Sequence, residues 1–307
     1  MNTSTIKRPS HVPVTATVLS AEKLSPHFTR ITFATPGVGS SGSGIFDQRI
    51  KLIFPTPGHA LPVLSDADEN WYAAWCALPE ATRGVMRTYS IRTLDETVAP
   101  VRLTVDFVTH IDPGPAAAWA EGATRGDEII IVAPQPGAET SGIEFAPGDA
   151  TDIVLAGDET AAPAIARILG DLGPATTGVA FIEIPTPADV LHIHAPSGVN
   201  VRWLPRVGAG HGELLTPAVL GHLGVRLIDA HPTVAESASD LLWETPAFSS
   251  MGEELTETRS DRHTYYWIAG ESTVVTRLRR TLVKEHGLDR SQVAFMGYWK
   301  QGVAMRG

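Results

Sequence analysis

The sequence predicts two domains of different construction, an antiparallel β-barrel over residues 1–147 and an α/β domain with a parallel sheet over residues 148–307. Two observations predict this division. Apolar and polar residues alternate in the first half, as in strands buried on one face, whereas short apolar runs alternate with helix-like segments in the second half. Phe145–Ala150 (FAPGDA) is the expected hinge, and a hydrophobic content of 43% suffices for a core in each domain.

The strands predicted in the first half differ in strength. From Val101 to Phe107, Val, Leu, Val and Phe alternate with Arg, Thr and Asp, and Val14–Val18 and Ile31–Phe33 repeat this pattern more weakly. Turn-rich segments separate the runs, and no long amphipathic helix is expected before about Pro115. An antiparallel barrel is therefore the natural closure of this half.

The second half has a strand–helix–strand order. Ile153–Ala156 and Val179–Ile184 are predicted strands, and the helix predicted between them carries Ile165, Ile168 and Leu172 on one side. This order implies parallel pairing, and parallel sheets bind ligands at the carboxyl ends of their strands. No GxGxxG motif follows these strands, so the commonest dinucleotide site is not predicted.

The end of the chain repeats this order. Tyr265–Ala269 and Val293–Met296 are predicted strands, and Ser272 is the expected N-cap of the helix between them. Seven acidic residues against one basic residue lie between Glu236 and Asp261, which we interpret as a solvated loop. Arg277–Arg306 carries seven Lys or Arg residues against two acids. This basic stretch is consistent both with a solvated helix face and with a binding site for an anionic ligand.

Composition excludes several classes of protein. The single cysteine, Cys76, excludes an internal disulfide, and no Cys/His cluster has the spacing of a zinc or iron–sulfur site, so redox chemistry would need an organic cofactor. A net charge of −10 argues against binding to nucleic acid. Because we find neither a signal peptide nor an apolar run of about 20 residues, we expect a cytoplasmic protein without membrane contact.

Arg87–Ser90 (RTYS) is the first candidate cofactor motif. On a strand, Arg87 and Tyr89 project to one face and Ser90 to the other. The three side chains could contact a pyrophosphate, pack on a flavin and donate to a reactive ring nitrogen, respectively. By itself the motif is better explained as an ordinary edge strand.

A second candidate motif makes a cofactor site more plausible than the first motif does by itself. Asp106–His110 (DFVTH) ends the strongest predicted strand, and Gly114–Trp119 (GPAAAW) opens a helix with Pro115 in its first turn. A helix start at a glycine turn presents free N–H groups to a phosphate. His110 could bind that phosphate or cap the strand, and Trp119 could pack on a cofactor or, as we favour, fill the core.

Taken in order, these segments resemble the siderophore-interacting protein family, the FAD-dependent ferric-siderophore reductases of the ferredoxin–NADP reductase superfamily. The resemblance covers about Val14 to Gly302, through MRTYSIR, DFVTH with GPAAAW, GDETAAPAI, and the closing WIAGES and LRRTLVKEHGLDRSQVAFMGYWKQG. It implies an N-terminal FAD-binding barrel and a C-terminal NAD(P)H-binding-like domain.

The resemblance also implies roles for individual residues. The implied FAD contacts in the first domain are Arg87, Tyr89, Ser90, Asp106, Val108, His110, Pro115, Ala116, Ala117 and Trp119. Family members usually have Ser at the position of Ala117. The alanine in this chain lacks the serine hydroxyl, whose contact with the phosphate is worth about 1 kcal/mol. In the second domain the implied contacts are Asp158, Thr160 and Trp299, although Asp158 and Thr160 could equally be helix N-caps. Packing in the core is an equal alternative for Tyr298.

The implied reaction is electron transfer from NAD(P)H, through FAD, to a ferric siderophore, with release of Fe(II). Lys51 and Lys300 are the candidate contacts for an anionic siderophore, and no catalytic acid, base or metal ligand is predicted. Ferredoxin is an alternative donor, since the basic helix at Arg277 suits either an anionic cofactor or an acidic protein. The rival functions are a general NAD(P)H–flavin reductase or an electron-transfer protein with a non-iron acceptor, and a siderophore-binding protein without turnover.

Overall fold

The computed structural model describes residues 10–40, 42, 44–64, 70–109, 114–225, 241–246, 248–249 and 263–303. Contacts between residues divide the chain into two compact units, Met1–Ile143 and Glu144–Met305. Within the described ranges, none of the helices combines the length and the apolar character needed to cross a bilayer.

The first unit is built on an antiparallel sheet. Its strands are β1 (His11–Ser25), β2 (Phe28–Thr35), β3 (Arg49–Phe54), β4 (Val85–Ser90), β5 (Thr93–Asp95), β6 (Val101–Val108) and β7 (Glu128–Pro134). They lie in the order β4-β3-β7-β1-β2-β6-β5. Tyr89 of β4 and Phe107 of β6 are far apart in this order, yet their ring centroids are 4.7 Å apart. The sheet therefore curls around a shared core, which confirms the predicted antiparallel barrel.

The apolar residues of the predicted alternation enter the core of the first unit, but Thr104 and Asp106 on the other face of β6 are buried as well, so the prediction of a strand buried on one face was wrong. Leu103, Val105 and Phe107 of β6 are fully buried. The helix predicted at Pro115 is present as α2 (Pro115–Gly122). It is preceded in the chain by α1 (Trp71–Ala77), a helix that the sequence did not predict. Trp75 of α1 packs on the opposite face of the sheet, in a second cluster with Ile53, Met86, Ile130 and Val132.

The second unit is an α/β layer structure. Its strands are β8 (Asp152–Gly157), β9 (Thr177–Ile184), β10 (Gly198–Pro205), β11 (Trp243–Thr245), β12 (Phe248–Ser249), β13 (Thr264–Glu271) and β14 (Val293–Trp299). Its helices are α3 (Ala162–Asp171), α4 (Leu215–His222) and α5 (Ser272–Arg279), the last continued by a π-helical turn over Arg280–Glu285. The sheet order is β10-β9-β8-β13-β14-β11-β12, with parallel pairing from β10 to β14. This confirms the predicted parallel sheet.

The predicted helix caps of the second unit were wrong. Glu271, and not Ser272, is the N-cap of α5, because its carboxylate accepts the N–H of Val274 at 3.0 Å. The N-cap of α3 is Ala161, with no side-chain cap, because the Asp158 side chain is engaged before the helix begins. Most of the acidic stretch 236–261 lies outside the described residues.

One residue of that acidic stretch corrects the prediction of a solvated loop. Glu244 lies on β11, which pairs with β14, and the residue is 2% exposed. Its carboxylate contacts the guanidinium of Arg279 at 2.5 Å and that of Arg290 at 3.4 Å. A carboxylate tolerates such burial because it is paired, and two cations of the basic C-terminal region are thereby engaged by the protein itself.

Candidate functional site

Arg87 lies on the edge strand β4 as a cation without a counter-ion among the residues that the structure describes. Among the described residues its guanidinium has one hydrogen bond, to the carbonyl of Met86 at 2.8 Å, and no carboxylate partner. Burial lowers the pKa of Arg87, with the nearby Tyr89 opposing that change. A partly desolvated guanidinium without a carboxylate can bind an external anion bidentately.

Tyr89 and Ser90 continue the same strand. The half-buried ring of Tyr89 packs against Phe54 and Phe107, and burial raises the pKa of its hydroxyl. The cross-strand partners are Leu52 with Arg87 and Lys51 with Thr88, so Arg87 and Tyr89 share one face while Ser90 lies on the other. This alternation is the one that the sequence predicts.

The N-terminus of α2 is open to an anion. Its N-cap is Gly114, with no side-chain cap, Pro115 occupies the first turn, and Ala118 donates the first helical hydrogen bond to the carbonyl of Gly114. The N–H groups of Ala116 and Ala117 therefore lack intrahelical acceptors. A β-carbon built on Gly114 would meet no atom within 4 Å, so the described residues leave space beside the N-cap, whereas Ala116 and Ala117 are themselves buried.

Two other predicted contacts in the first unit have internal partners. Asp106 is 1% exposed at its side chain and forms a bidentate pair with Arg30 at 2.6 and 2.8 Å, with Arg92 at 3.5 Å. Trp119 packs in the core, 5.2 Å from Phe54 and 6.3 Å from Phe107 between ring centroids. Val108 is half-buried at the end of β6, and His110 lies outside the described residues.

Lys51 lies on the same face of the barrel sheet as Ser90. Its ammonium donates to the hydroxyl of Thr88 at 2.8 Å and has no carboxylate partner among the described residues. Burial and the neighbouring positive charge of Arg49 lower the pKa of Lys51. Its environment therefore favours an incoming anion, which would restore a counter-ion.

In the second unit, Asp158 connects the carboxyl ends of three strands. It follows β8 directly, and its Oδ1 accepts the N–H and the hydroxyl of Thr160 at 2.9 and 2.5 Å. Its Oδ2 accepts the N–H of Glu271, at the end of β13, at 2.7 Å and Nε1–H of Trp299, at the end of β14, at 2.9 Å. Burial and the charge of Glu159 raise the pKa of Asp158 to about 7, against the effect of its donors.

A buried ion network that the sequence did not predict lies beside Asp158. The guanidinium of Arg206 binds both oxygens of Glu159, at 2.7 and 2.8 Å, and contacts Glu183 at 3.4 Å. Glu183 also accepts the N–H groups of Gly212, at 2.8 Å, and of Leu215, at 3.0 Å, and thereby occupies the N-terminus of α4. Both glutamates are 0% exposed, so Arg206 supplies their neutralising charge.

His211 lies between this network and Trp299. Its ring makes an edge contact with the indole at 4.7 Å, and its buried Nδ1 has no hydrogen-bond partner among the described residues. Burial lowers the pKa of His211, and Glu159 opposes that change. Ligand atoms of Asp158, Glu159 and His211 lie within 4.8 Å of one another, but Arg206 already binds both oxygens of Glu159, so we assign no metal there.

An open cavity adjoins His211 at the carboxyl edge of the parallel sheet. Its volume, including the open mouth, is about 490 Å³. The residues that line it are His211, Glu271, Thr273, Val274, Arg277 and Gln301. Lys300, the other predicted acceptor contact, follows β14 and is half-buried, with no side-chain hydrogen bond or ion pair in the described ranges. Tyr298 stacks on Trp243, which favours its alternative role in packing.

Comparison with known proteins assigns the family. Residues 17–138 match the siderophore-interacting FAD-binding domain, and residues 150–302 match the siderophore-interacting protein model. An uncharacterized protein of Mycobacterium tuberculosis is 31% identical over 295 residues, which are 93% of this chain and 89% of that protein. This chain belongs to the siderophore-interacting protein family.

Other members of the siderophore-interacting protein family agree in fold and length. The crystal structure of a siderophore utilization protein from T. fusca has a TM-score of 0.69 and 27% identity, covering 98% of this chain and 97% of that one. The ferric vibriobactin reductase of Vibrio cholerae is 25% identical over 258 residues, 83% of this chain and 77% of the relative.

FAD is the cofactor of the domain family matched by residues 17–138, and the residues of the first unit fit it. A pyrophosphate needs cationic and N–H donors, and Arg87 and the start of α2 provide both, with no carboxylate bound to either within the described ranges. An isoalloxazine needs a flat apolar contact, which the ring of Tyr89 can provide.

Proposed function

We propose that this chain is an FAD-dependent ferric-siderophore reductase, which uses electrons from NAD(P)H or reduced ferredoxin to reduce chelated Fe(III) and release Fe(II). The observation that carries the proposal is Arg87, a partly buried guanidinium with no carboxylate partner in the described part of the chain, on the same unit as the N-terminus of α2, which lacks a side-chain cap there. The family and the ferric-siderophore reductases among its relatives support the same activity.

The protein's contribution is binding, orientation and charge. When bound, FAD would supply the link between a donor that gives up two electrons together and an Fe(III) acceptor that takes one electron at a time. Arg87 and the N–H groups of Ala116 and Ala117 would hold the pyrophosphate, and Tyr89 would orient the ring system. We assign no acid or base to the reaction, since one-electron reduction of a chelated metal ion requires none. Asp158, Thr160 and Trp299 stay predicted cofactor contacts.

The acceptor is expected to be an anionic ferric chelate. Iron within a siderophore is already coordinated, so the protein needs cations and no metal ligands of its own. Lys51 and Lys300 are cations without internal carboxylates in the described ranges, and Lys51 shares a face with Ser90. Their attraction for a chelate should act on binding of the acceptor and leave reduction by the donor unaffected.

The first experiment identifies the cofactor and the donor. The purified protein is denatured by heat to release bound flavin, and the folded protein is mixed anaerobically with NADH, NADPH or reduced ferredoxin. Hydroxamate and catecholate ferric complexes are then added, and ferrous ion is captured by a chromogenic chelator. We expect flavin bleaching by the donor and bleaching reversed by a ferric siderophore. A protein reconstituted with excess FAD that retains none would refute the proposal.

The second experiment tests the acceptor contacts. Lys51→Ala and Lys300→Ala should each raise KM for the ferric chelate several-fold at unchanged flavin reduction. Lys23→Ala is the matched control, because Lys23 is another strand lysine whose ammonium donates to a threonine hydroxyl, that of Thr109 at 3.0 Å. Equal turnover of quinones, dyes and ferric chelates would favour a general flavin reductase, and bound siderophore without turnover would favour a binding protein.

A further inference from the structure

We propose that Asp158 is a positioning residue for Trp299, fixing the indole at the carboxyl edge of the parallel sheet. Oδ2 of Asp158 takes Nε1–H of Trp299 at 2.9 Å and the N–H of Glu271 at 2.7 Å, so one oxygen ties β8 to both β13 and β14. The register of β13 and β14 shifts at this point, because Gly270 pairs with Gly297 but Glu271 pairs with Trp299. Beside this irregularity the indole has a hydrogen bond to Asp158 and an edge contact with His211, and of these two only the bond to Asp158 fixes the direction of Nε1–H.

The backbone around Asp158 is adapted to this contact. Gly270 has φ of +141°, and a β-carbon built there would lie 2.7 Å from Oδ2 and 2.8 Å from Cγ of Asp158. Any other residue at position 270 would displace the carboxylate. The other oxygen, Oδ1, is held independently by the N–H and hydroxyl of Thr160. The carboxylate is thus fixed from one side and open to the indole from the other.

The charged groups near Asp158 make this contact sensitive to its ionisation. Glu159 precedes Thr160 in the same turn, Glu271 ends β13, and Arg206 and His211 lie on the segment after β10. Glu183 of β9 lies behind Arg206. Only the carboxylate form accepts all four hydrogen bonds, because the acid form loses acceptor capacity at one oxygen.

The effect of Asp158 on turnover rests on the proposed function. Trp299 and Asp158 are both predicted cofactor contacts, but the carboxylate of Asp158 is buried and already accepts four hydrogen bonds from the protein, so under this inference Asp158 acts on turnover through the indole and not by direct contact. The structural part of the inference stands without any cofactor, since all of its contacts lie within Glu144–Met305. The experiment below therefore separates the two.

The first measurement is the indole spectrum of protein labelled with ¹⁵N-tryptophan, recorded without added cofactor or substrate. The chain has seven tryptophans, so Trp299→Phe assigns the Nε1–H resonance of Trp299 and the others serve as internal controls. We expect a downfield proton, typical of a carboxylate acceptor, that moves upfield as Asp158 is protonated. Asp158→Asn should abolish this titration. Gly270→Ala, which displaces the carboxylate, should move the resonance upfield, as protonation of Asp158 does.

His211→Phe is the discriminating control. It keeps a ring in edge contact with the indole and removes the titratable imidazole from that contact. The titration should persist in this variant. If it disappears there, or if the resonance in Asp158→Asn is that of the parent, the inference is wrong.

A double-mutant cycle gives the link to turnover. Asp158→Asn should lower kcat/KM for ferric-chelate reduction roughly tenfold in the parent and have no further effect in Trp299→Phe. Additive effects would overturn the positioning role even with the NMR signature present. Titration of the indole in a protein that reduces no ferric chelate would instead refute the proposed function and leave the positioning intact.

Discussion

Replacing Arg206 with methionine removes the neutralising charge of two buried glutamates. Arg206 is 8% exposed at its side chain, and both glutamates are fully buried. Glu183 would keep its backbone donors, whereas Glu159 would lose the partner of both its oxygens. Breaking a buried pair by removing one partner costs about 3–5 kcal/mol. Because a domain of this size is stable by about 5–15 kcal/mol, Arg206→Met should remove a large share of the unfolding free energy of the second unit.

Urea unfolding combined with peptide-resolved hydrogen exchange measures this loss where it occurs. Peptides from β8 and β9 report on the second unit, so an independent transition of the first unit does not obscure the result. Arg167→Ala is the matched control, because Arg167 forms a partly exposed ion pair with Asp171 one helical turn away within α3. That pair should contribute about 0.5 kcal/mol. Arg206→Lys should fall between the two, since lysine keeps the charge but not the bidentate geometry.

One further result would identify the cause of the loss. Adding Glu159→Gln to Arg206→Met removes the uncompensated buried charge and should recover part of the stability, with a coupling energy above about 1 kcal/mol. A loss in Arg206→Met no larger than that in Arg167→Ala, or one that is independent of Glu159, would refute the reasoning.

Two other predictions concern the cofactor and the pH dependence of stability. Ala117→Ser, which restores the hydroxyl usual in the family, should tighten FAD binding to the apoprotein about fivefold by titration calorimetry, whereas the exposed control Ala118→Ser should not. The pKa of Asp158 is about 7 in the folded state against 3.8 ordinarily, so the folded state binds more protons and loses stability as pH rises between these values. The difference in unfolding free energy between Asp158→Asn and the parent should therefore change by up to about 4 kcal/mol from pH 4 to 7; a constant difference would contradict the shift.

Much of the fold could be predicted because its cores follow local periodicity. The alternation from Val101 to Phe107 corresponds to β6, and the apolar runs at 153–156 and 179–184 correspond to β8 and β9. The short helix α1 was not predicted, because Trp71–Ala77 is only about two turns long. Its packing on Ile53 and Met86 also depends on residues outside the helix, which local periodicity does not reveal. Local sequence determines which residues are buried but not which distant surface buries a short element.

The buried ion pairs could not be predicted for the same reason. Glu159 and Arg206 are 47 residues apart, and Glu244 and Arg279 are 35 apart, so no spacing rule relates them. One signal was available in the sequence. Glu183 stands within the apolar run of β9, and a carboxylate inside a buried strand requires a buried donor or cation. That signal predicts the existence of a partner but not its identity.

The second unit supplies its own anions at the edge where a parallel sheet ordinarily receives a ligand. Glu183 occupies the N-terminus of α4 and Asp158 lies just before α3, so neither helix presents an uncompensated positive end to a phosphate. Arg277 lines the open cavity and makes no ion pair among the described residues. A phosphate-bearing donor at this edge would therefore depend on Arg277 for its charge compensation. An acidic protein donor would instead depend on the wider basic face of Arg277, Arg280 and Lys284, so the salt dependence of reduction distinguishes the two donors.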